Sequence, residues 1–294
     1  MVTIGGPADL PTRISRLVAD LERRWSRFTG ASEVSTLNRS AGRVTVVSEE
    51  TYLLVSSAAT AHELTGGRFH PLMLEQLEAL GYRHRWEEAI AVPTGAPVGP
   101  AVAEPIQLYP EASAVRLPAG SRFDPGGIGK GLAVDLAIEA CIAEGATTAS
   151  VELGGDLRVH GQPWFGPSWR IPVADPFDDE SDIGAFTPTE GAVTTSSTLR
   201  RAWAGPGPTR LHHLLDPATG HPGRTDLVAV TTCSRRAWWA EVAAKVALLA
   251  GSGSMGGVLA ELDTPGIGVT SDRRVIRWAP TGPARHRRLA EAAG

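Results

Sequence analysis

Residues 122–140, RFDPGGIGKGLAVDLAIEA, read as a strand that ends at Asp124, a turn on Gly126, Gly127 and Gly129, and a helix with Lys130 at its mouth. Glycine lets a backbone approach a phosphate closely. The exposed amides, the positive end of the helix dipole and the ammonium group together make an anion site. The spacing is neither GxGxxG with a downstream acid for a ribose nor GxxxxGK followed by Ser or Thr, so neither standard nucleotide fingerprint applies. The plain alternative is a tight strand-to-helix turn with a lysine on the surface.

Around this segment the chain alternates irregularly. From Ile106 onward, short β-like runs (IQLY, AVRL, ASVEL, LRVHG, WRIPVA, RLHHLL, LVAVTT) are interrupted by two helices, expected over 129–143 and 235–250. The regular βαβ alternation of a doubly wound sheet is missing, which predicts an α+β fold with mixed or antiparallel sheets and packed helices. On the N-terminal side, Ile14, Leu17, Val18, Leu21, Trp25 and Phe28 recur at helical spacing and predict an amphipathic helix over 9–28 with that stripe inward. A short strand over 44–47 leads to Ser48, an expected N-cap, and to a helix stopping at Gly66-Gly67. FHPLMLEQLEALGY (69–82) predicts a further helix, and residues 91–105, rich in Pro, Gly and Ala, a surface connection. The tail ARHRRLAEAAG reads as a solvated terminal helix. The expectation is one domain over 1–294.

Composition narrows the function. A chain of 294 residues with 42% hydrophobic content can bury a large core, and a net charge of -4 offers no basic surface for a nucleic-acid backbone. Cys141 and Cys233 are far apart and read as buried thiols. No stretch approaches the ~18 apolar residues that span a bilayer. The N-terminus has no charged leader before an apolar run, so the chain as given is expected in the cytoplasm. Val2 to Ile4 reads as the tail of a strand whose start is missing.

Three further stretches carry chemistry. SVELGGDLRVHG (150–161) places a Gly-Gly-Asp turn between strands, and GAVTTSSTLRRAW (191–203) ends a strand in hydroxyls, with Thr195 and Ser196 as candidate ligand contacts or simply a polar strand edge. HHLLDPATGHP (212–222) sets His213 at a strand end, where an imidazole suits proton transfer near neutral pH or packs as an ordinary core residue. Strand alternation would put His212 and His213 on opposite faces.

Taken in order, SRFTGASEVSTLN, GRFHPLMLEQLEALGY, DPGGIGKGLAVD, VELGGDLRVHG, WRIPVADP, GAVTTSSTLRRAW, HHLLDPATGHP and AEVAAKVALLAG resemble the ApbE-like FAD:protein FMN transferases, from about Arg27 to Gly251. The resemblance implies that family's α+β architecture and a reaction in which FAD binds with Mg²⁺ on its pyrophosphate. A Thr or Ser hydroxyl of a partner flavoprotein attacks, FMN is esterified to it, and AMP leaves. It also implies site residues: Leu80, Gly81 and Tyr82 on the flavin, with Tyr82 free to stack; Asp124, Lys130, Thr195, Ser196 and Leu215 on the dinucleotide; His213 as general base; and Gly127, Glu241, Ala244 and Lys245 at the metal.

Two departures from the family pattern stand out. Aspartate and threonine are usual where this chain has Glu241 and Lys245; glutamate is an oxygen ligand for a hard cation, but lysine is not a ligand. The pair also fits an i, i+4 decoration of an exposed helix. The early Met-Gly-Thr-type strand that touches the flavin is represented only by Val2 to Ile4. Two other readings remain: an FAD pyrophosphatase, with water as acceptor, and a flavin-binding protein without catalysis, favoured by Lys245 and opposed by His213.

Overall fold

The computed structural model describes residues 1–85, 99–205 and 209–280. Residues 91–98 of the expected surface connection and the expected C-terminal helix lie outside the described residues. In chain order the elements begin β1 (Val2–Gly5), α1 (Leu10–Trp25), α2 (Glu33–Arg39), β2 (Thr45–Val46), α3 (Glu49–Leu64) and α4 (Leu74–Ala79). They continue with β3 (Gln107–Tyr109), β4 (Ala114–Arg116), α5 (Gly129–Ala143), β5 (Ala146–Leu153), β6 (Asp156–His160), β7 (Ile171–Asp175), β8 (Asp178–Phe186) and β9 (Gly191–Ser197). The last are β10 (Ala202–Ala204), β11 (Arg210–His212), β12 (Leu227–Ser234), α6 (Ala237–Ala250), α7 (Met255–Glu261), β13 (Gly266–Thr270) and β14 (Val275–Trp278). The α+β class and both long C-terminal helices are as the sequence predicts.

The chain divides into two compact units, the first formed by residues 1–21, 128–197 and 225–294, the second by 22–127 and 198–224. Among the described residues, the first unit carries a seven-stranded sheet in the order β1-β5-β6-β9-β12-β13-β14, antiparallel at each step. The β5–β6 hairpin closes on Gly154 and Gly155, at φ +59° and +90°, between the paired Leu153 and Asp156. A two-residue turn with both φ values positive matches the strand twist, and Gly-Gly adopts it without strain.

Alternation gives this sheet two apolar faces. One packs Ala149, Val151 and Ala192 against Leu10 and Ile14 of α1, Val134, Ala137, Ile138 and Cys141 of α5, and Ala237 of α6. The other packs Val159 and Val193 against Trp169 and Ile171, with Cys233 and Phe186 alongside. Phe186 belongs to β8, an unexpected strand. Its sequence DDESDIGAF has an exposed, acidic first half and forms through its ladder to β7, not through apolar alternation. Cys141 is buried and Cys233 half-buried. Burial raises both thiols, Cys233 to about 11, so neither is a ready nucleophile.

Helix α5 comes so close to α6 that a Cβ on Gly131 would lie 2.6 Å from the Ala237 carbonyl. Glycine is required for that approach. The N-terminus of α6 has no side-chain cap of its own. Asp135 of α5 takes that role: it accepts from the Ala237 amide at 3.0 Å, the Trp238 amide at 3.0 Å and Arg158 Nη1 at 2.8 Å.

In the second unit β2-β4-β3 form a three-stranded sheet and β10 and β11 an antiparallel pair. Ser48 caps α3 by accepting from the Thr51 amide at 3.2 Å, as expected, and the Trp25 indole donates to Thr51 Oγ1 at 3.2 Å. Of the expected α1 stripe, Ile14, Leu21 and Trp25 are buried, Leu17 and Val18 half-buried, and Phe28 lies beyond the helix end and is exposed. The strand expected to end at Asp124 does not form. The segment is held by single bonds instead: Phe123 is clamped by Asn38 at 2.7 and 3.0 Å, and the Asp124 amide donates to Pro71 O at 2.9 Å.

Candidate active site

In the first unit, four charged side chains meet at the start of α5. Lys130, in the first turn, forms a short ion pair with Asp156 at the head of β6. Its Nζ is also 3.8 Å from Glu241 Oε1 on α6, and Lys245, one helical turn after Glu241, brings its Nζ to 4.0 Å from the same oxygen. Glu241 Oε2 accepts from the Gly131 amide at 2.9 Å. The helix has no side-chain cap at Ile128, so Glu241 supplies one of the acceptors its first turn requires.

This cluster is largely withdrawn from solvent, with side-chain exposures of 1% for Asp156, 6% for Glu241 and 14% for Lys245, against 37% for Lys130. Burial, then the neighbouring Glu241 charge, pushes the Asp156 carboxyl up to about 6, and Lys130 opposes that rise. The alternative of an exposed-helix pair for Glu241 and Lys245 is thereby overturned: α6 is buried on every side here, and both side chains point into the cluster.

The donor set does not fit a resident Mg²⁺. One Glu241 oxygen is committed to an amide and the other faces two ammonium groups, while Asp156 is paired with Lys130. Among the described residues, no three His, Cys, Asp or Glu side chains gather to hold a metal. Ala244 offers only main chain within a continuous helix.

On β9, Thr195 and Ser196 separate. Ser196 shares parity with Ala192, which packs toward α5 and α6, whereas Thr195 lies on the opposite face, beside Thr231 Oγ1 at 2.9 Å. The two neighbours therefore do not face one ligand together.

In the second unit, Leu80, Tyr82 and Leu215 share a cluster with Met73, Leu77, Trp203 and Leu211. The Trp203 indole donates to Leu80 O at 2.9 Å, and Gly81 turns at φ +102°. Tyr82 is buried, with the Trp203 ring 5.7 Å away and the Arg27 guanidinium 4.5 Å from its centroid. Its ring is thus packed between Trp203 and the Arg27 guanidinium.

Arg27 ties this cluster to Asp124. It donates to Tyr82 O at 3.0 Å, its Nε lies 3.2 Å from Asp124 Oδ1, and Phe28 flanks it at 4.3 Å. Asp124 is followed by the 3-10 turn Pro125–Gly127, which holds Gly127. Sequence reading missed Arg27 as a site residue although SRFTGASEVSTLN contains it, and missed Asp156 and Trp203 as well; the Gly-Gly-Asp turn was the available signal for Asp156. Arg27→Ala should destabilise the protein by about 1.5–3 kcal/mol, the range for hydrogen bonds to charged groups. Lysine should not rescue it, because the guanidinium is held by its plane between two rings. Denaturant unfolding of both variants checks this, and full rescue by lysine would refute the stacking argument.

The His212–Pro222 segment also lies in the second unit. His213 follows β11 instead of ending it, so strand alternation does not separate the two histidines. The His212 Nδ1 accepts from the Leu214 amide at 3.3 Å, and burial lowers its pKa. The loop is closed by the Asp216 amide on His221 O at 2.8 Å and the Gly223 amide on Leu214 O at 3.0 Å. His213 remains half-buried.

A glycine-rich turn that delivers a lysine to a helix start among buried carboxylates, within an α+β fold, is the frame of the candidate site. The ApbE family model matches residues 2–267, and the chain belongs to that family. It is 28% identical over 283 residues to a protein of Klebsiella pneumoniae (strain 342) named FAD:protein FMN transferase, covering 92% of this chain and 85% of that one. A Vibrio cholerae protein of the same name is 26% identical over 231 residues, covering 77% and 69%. Among solved structures, the ApbE protein of Thermotoga maritima superposes with a TM-score of 0.83 at 27% identity, covering 95% of this chain and 91% of the other. The flavin transferase ApbE from Vibrio cholerae, at 23% identity and a TM-score of 0.77 over 95% and 90%, shares the fold.

Proposed function

We infer that this chain is an FAD:protein FMN transferase that moves FMN from FAD to a Thr or Ser hydroxyl of a partner flavoprotein. The observation that carries the reading is the family match over residues 2–267, which passes through segments of both units and through each proposed site residue. It supports treating the two units as one functional domain.

Phosphoryl transfer demands alignment and charge neutralisation more than covalent assistance. Lys130, at the positive end of α5, neutralises pyrophosphate charge and is the proposed phosphate contact, with Asp124, Ser196 and Leu215 on the dinucleotide and the Leu80-Gly81-Tyr82 turn on the flavin. His213 takes the proton of the attacking hydroxyl. That oxygen bonds to the flavin-side phosphorus, the bridging P–O bond breaks, and AMP leaves with the bridging oxygen. A Mg²⁺ ion, if bound, would supply Lewis-acid polarisation of the pyrophosphate.

Lys130→Ala should weaken FAD binding by about tenfold to a hundredfold, the value of one charge-assisted hydrogen bond. A flavin fluorescence titration with unchanged affinity would remove Lys130 from the site. The reaction itself is tested by incubating the protein with FAD and candidate acceptor flavoproteins and measuring AMP and the mass of the acceptor. A gain of one FMN on the acceptor supports transfer; AMP with free FMN only would make the chain a pyrophosphatase, and bound FAD without AMP a flavin-binding protein. No helix among the described residues is long and apolar enough to cross a membrane.

A further inference from the structure

We propose that Lys130 and Lys245 supply, as two fixed ammonium groups, the charge that a divalent cation would supply to the bound pyrophosphate, so that this chain binds FAD without such a cation. The inference rests on the flavin-transfer reading and concerns how its site is charged.

Lys245 and Glu241 are four residues apart on α6 and therefore lie on one side of the helix. Lys245 is half-buried, 14% exposed, and its Nζ approaches Glu241 Oε1 at 4.0 Å, the same oxygen that Lys130 approaches at 3.8 Å. Two ammonium groups thus converge on one carboxylate oxygen, and Lys130 also pairs with Asp156. Among the described residues, two positive and two negative side chains pair in this cluster, which leaves no surplus negative charge there to attract a dication. A Mg²⁺ ion demands oxygen ligands in near-octahedral array at about 2.0–2.1 Å. To reach Glu241 Oε1 it would have to displace both ammonium groups, and Glu241 Oε2 is held by the Gly131 amide. A buried charge without a partner is costly, which favours the arrangement that keeps both lysines.

The consequence for an anion differs from the consequence for a cation. Lys130, 37% exposed, opens the cluster to solvent, and a phosphate arriving there meets two ammonium groups with up to three donors each. Each can bond phosphate oxygens, and neither has a vacant orbital with which to act as a Lewis acid. Replacing Lys245 by threonine removes one positive charge and presents an oxygen, which leaves the cluster one charge short and creates a place for a cation.

FAD affinity is measured by fluorescence titration in EDTA and in Mg²⁺, and Mn²⁺ binding by electron paramagnetic resonance with and without FAD. The wild-type protein should bind FAD equally in both buffers and take up no Mn²⁺ in its FAD complex. Lys245→Thr should lose about tenfold to a hundredfold in FAD affinity in EDTA, recover it in Mg²⁺, and show bound Mn²⁺; Lys245→Arg should behave as wild type in EDTA. Mg²⁺-dependent FAD binding by the wild type, or stoichiometric Mn²⁺ in its FAD complex, overturns this inference and leaves the flavin-transfer reading standing. No FAD binding in either buffer overturns both. Should the threonine variant fail to fold, the two wild-type measurements decide.

Discussion

Replacing His213 with alanine is expected to slow FMN transfer by about 100-fold or more, the usual scale for losing a general base. A Thr or Ser hydroxyl must shed its proton as it attacks phosphorus, and an imidazole is matched to that step near neutral pH. FAD affinity should change little, because the proton transfer occurs on the acceptor and not on the dinucleotide. The control is His212→Ala. His212 accepts the Leu214 amide and carries a pKa lowered by burial, so its loss should loosen the loop and reduce stability more than it reduces the rate per folded molecule. Single-turnover assays with saturating FAD separate the two effects. Equal damage from His212→Ala, with none from His213→Ala, would reverse the assignment.

Asp135→Ala is expected to cost the largest share of stability, about 3–5 kcal/mol, the scale for breaking a buried ion pair. The carboxylate is 1% exposed and accepts three bonds: from Arg158, itself 9% exposed, and from the first two amides of α6. Burial pushes its pKa upward, and Arg158 and the two amides oppose that rise. Alanine would strand a guanidinium and two amide donors in the interior at once. An asparagine side chain would keep the shape and an acceptor but lose the charge, so Asp135→Asn should cost less. Because α6 carries Glu241 and Lys245, the alanine variant should also bind FAD more weakly at temperatures where it remains folded. Urea unfolding gives the first number and a flavin titration the second; a loss below about 1 kcal/mol, within reach of an ordinary surface change, would show that the cap is not required.

Much of the site's frame was legible in the chain because it depends on neighbours in sequence. Ser48 caps the helix it precedes, and Gly154-Gly155 fits a two-residue hairpin. Each follows from backbone φ or from a hydrogen bond that spans three or four residues. The order of the motifs likewise carried the family, since each motif is short and its identity is local.

Tertiary structure alone decided the rest. Strand β8 has too little apolar alternation to announce itself and exists because β7 offers it a ladder; the run into Asp124 has strand-like composition but no neighbouring strand, so Asn38 and Pro71 satisfy it instead. Thr195 and Ser196 are adjacent in sequence yet fall on opposite faces, a consequence of the pleat that becomes visible only once Ala192 and Thr231 fix which face is which. Arg27 reaches Asp124, and Glu241 reaches Gly131, across separations that no periodicity encodes. Sequence determines which backbone conformations and elements are available to this chain, because those energies are local. Which charges meet, and hence whether Lys245 is a surface ornament or part of a balanced buried cluster, is set by the packing of α5 against α6, where Gly131 lets the two helices touch.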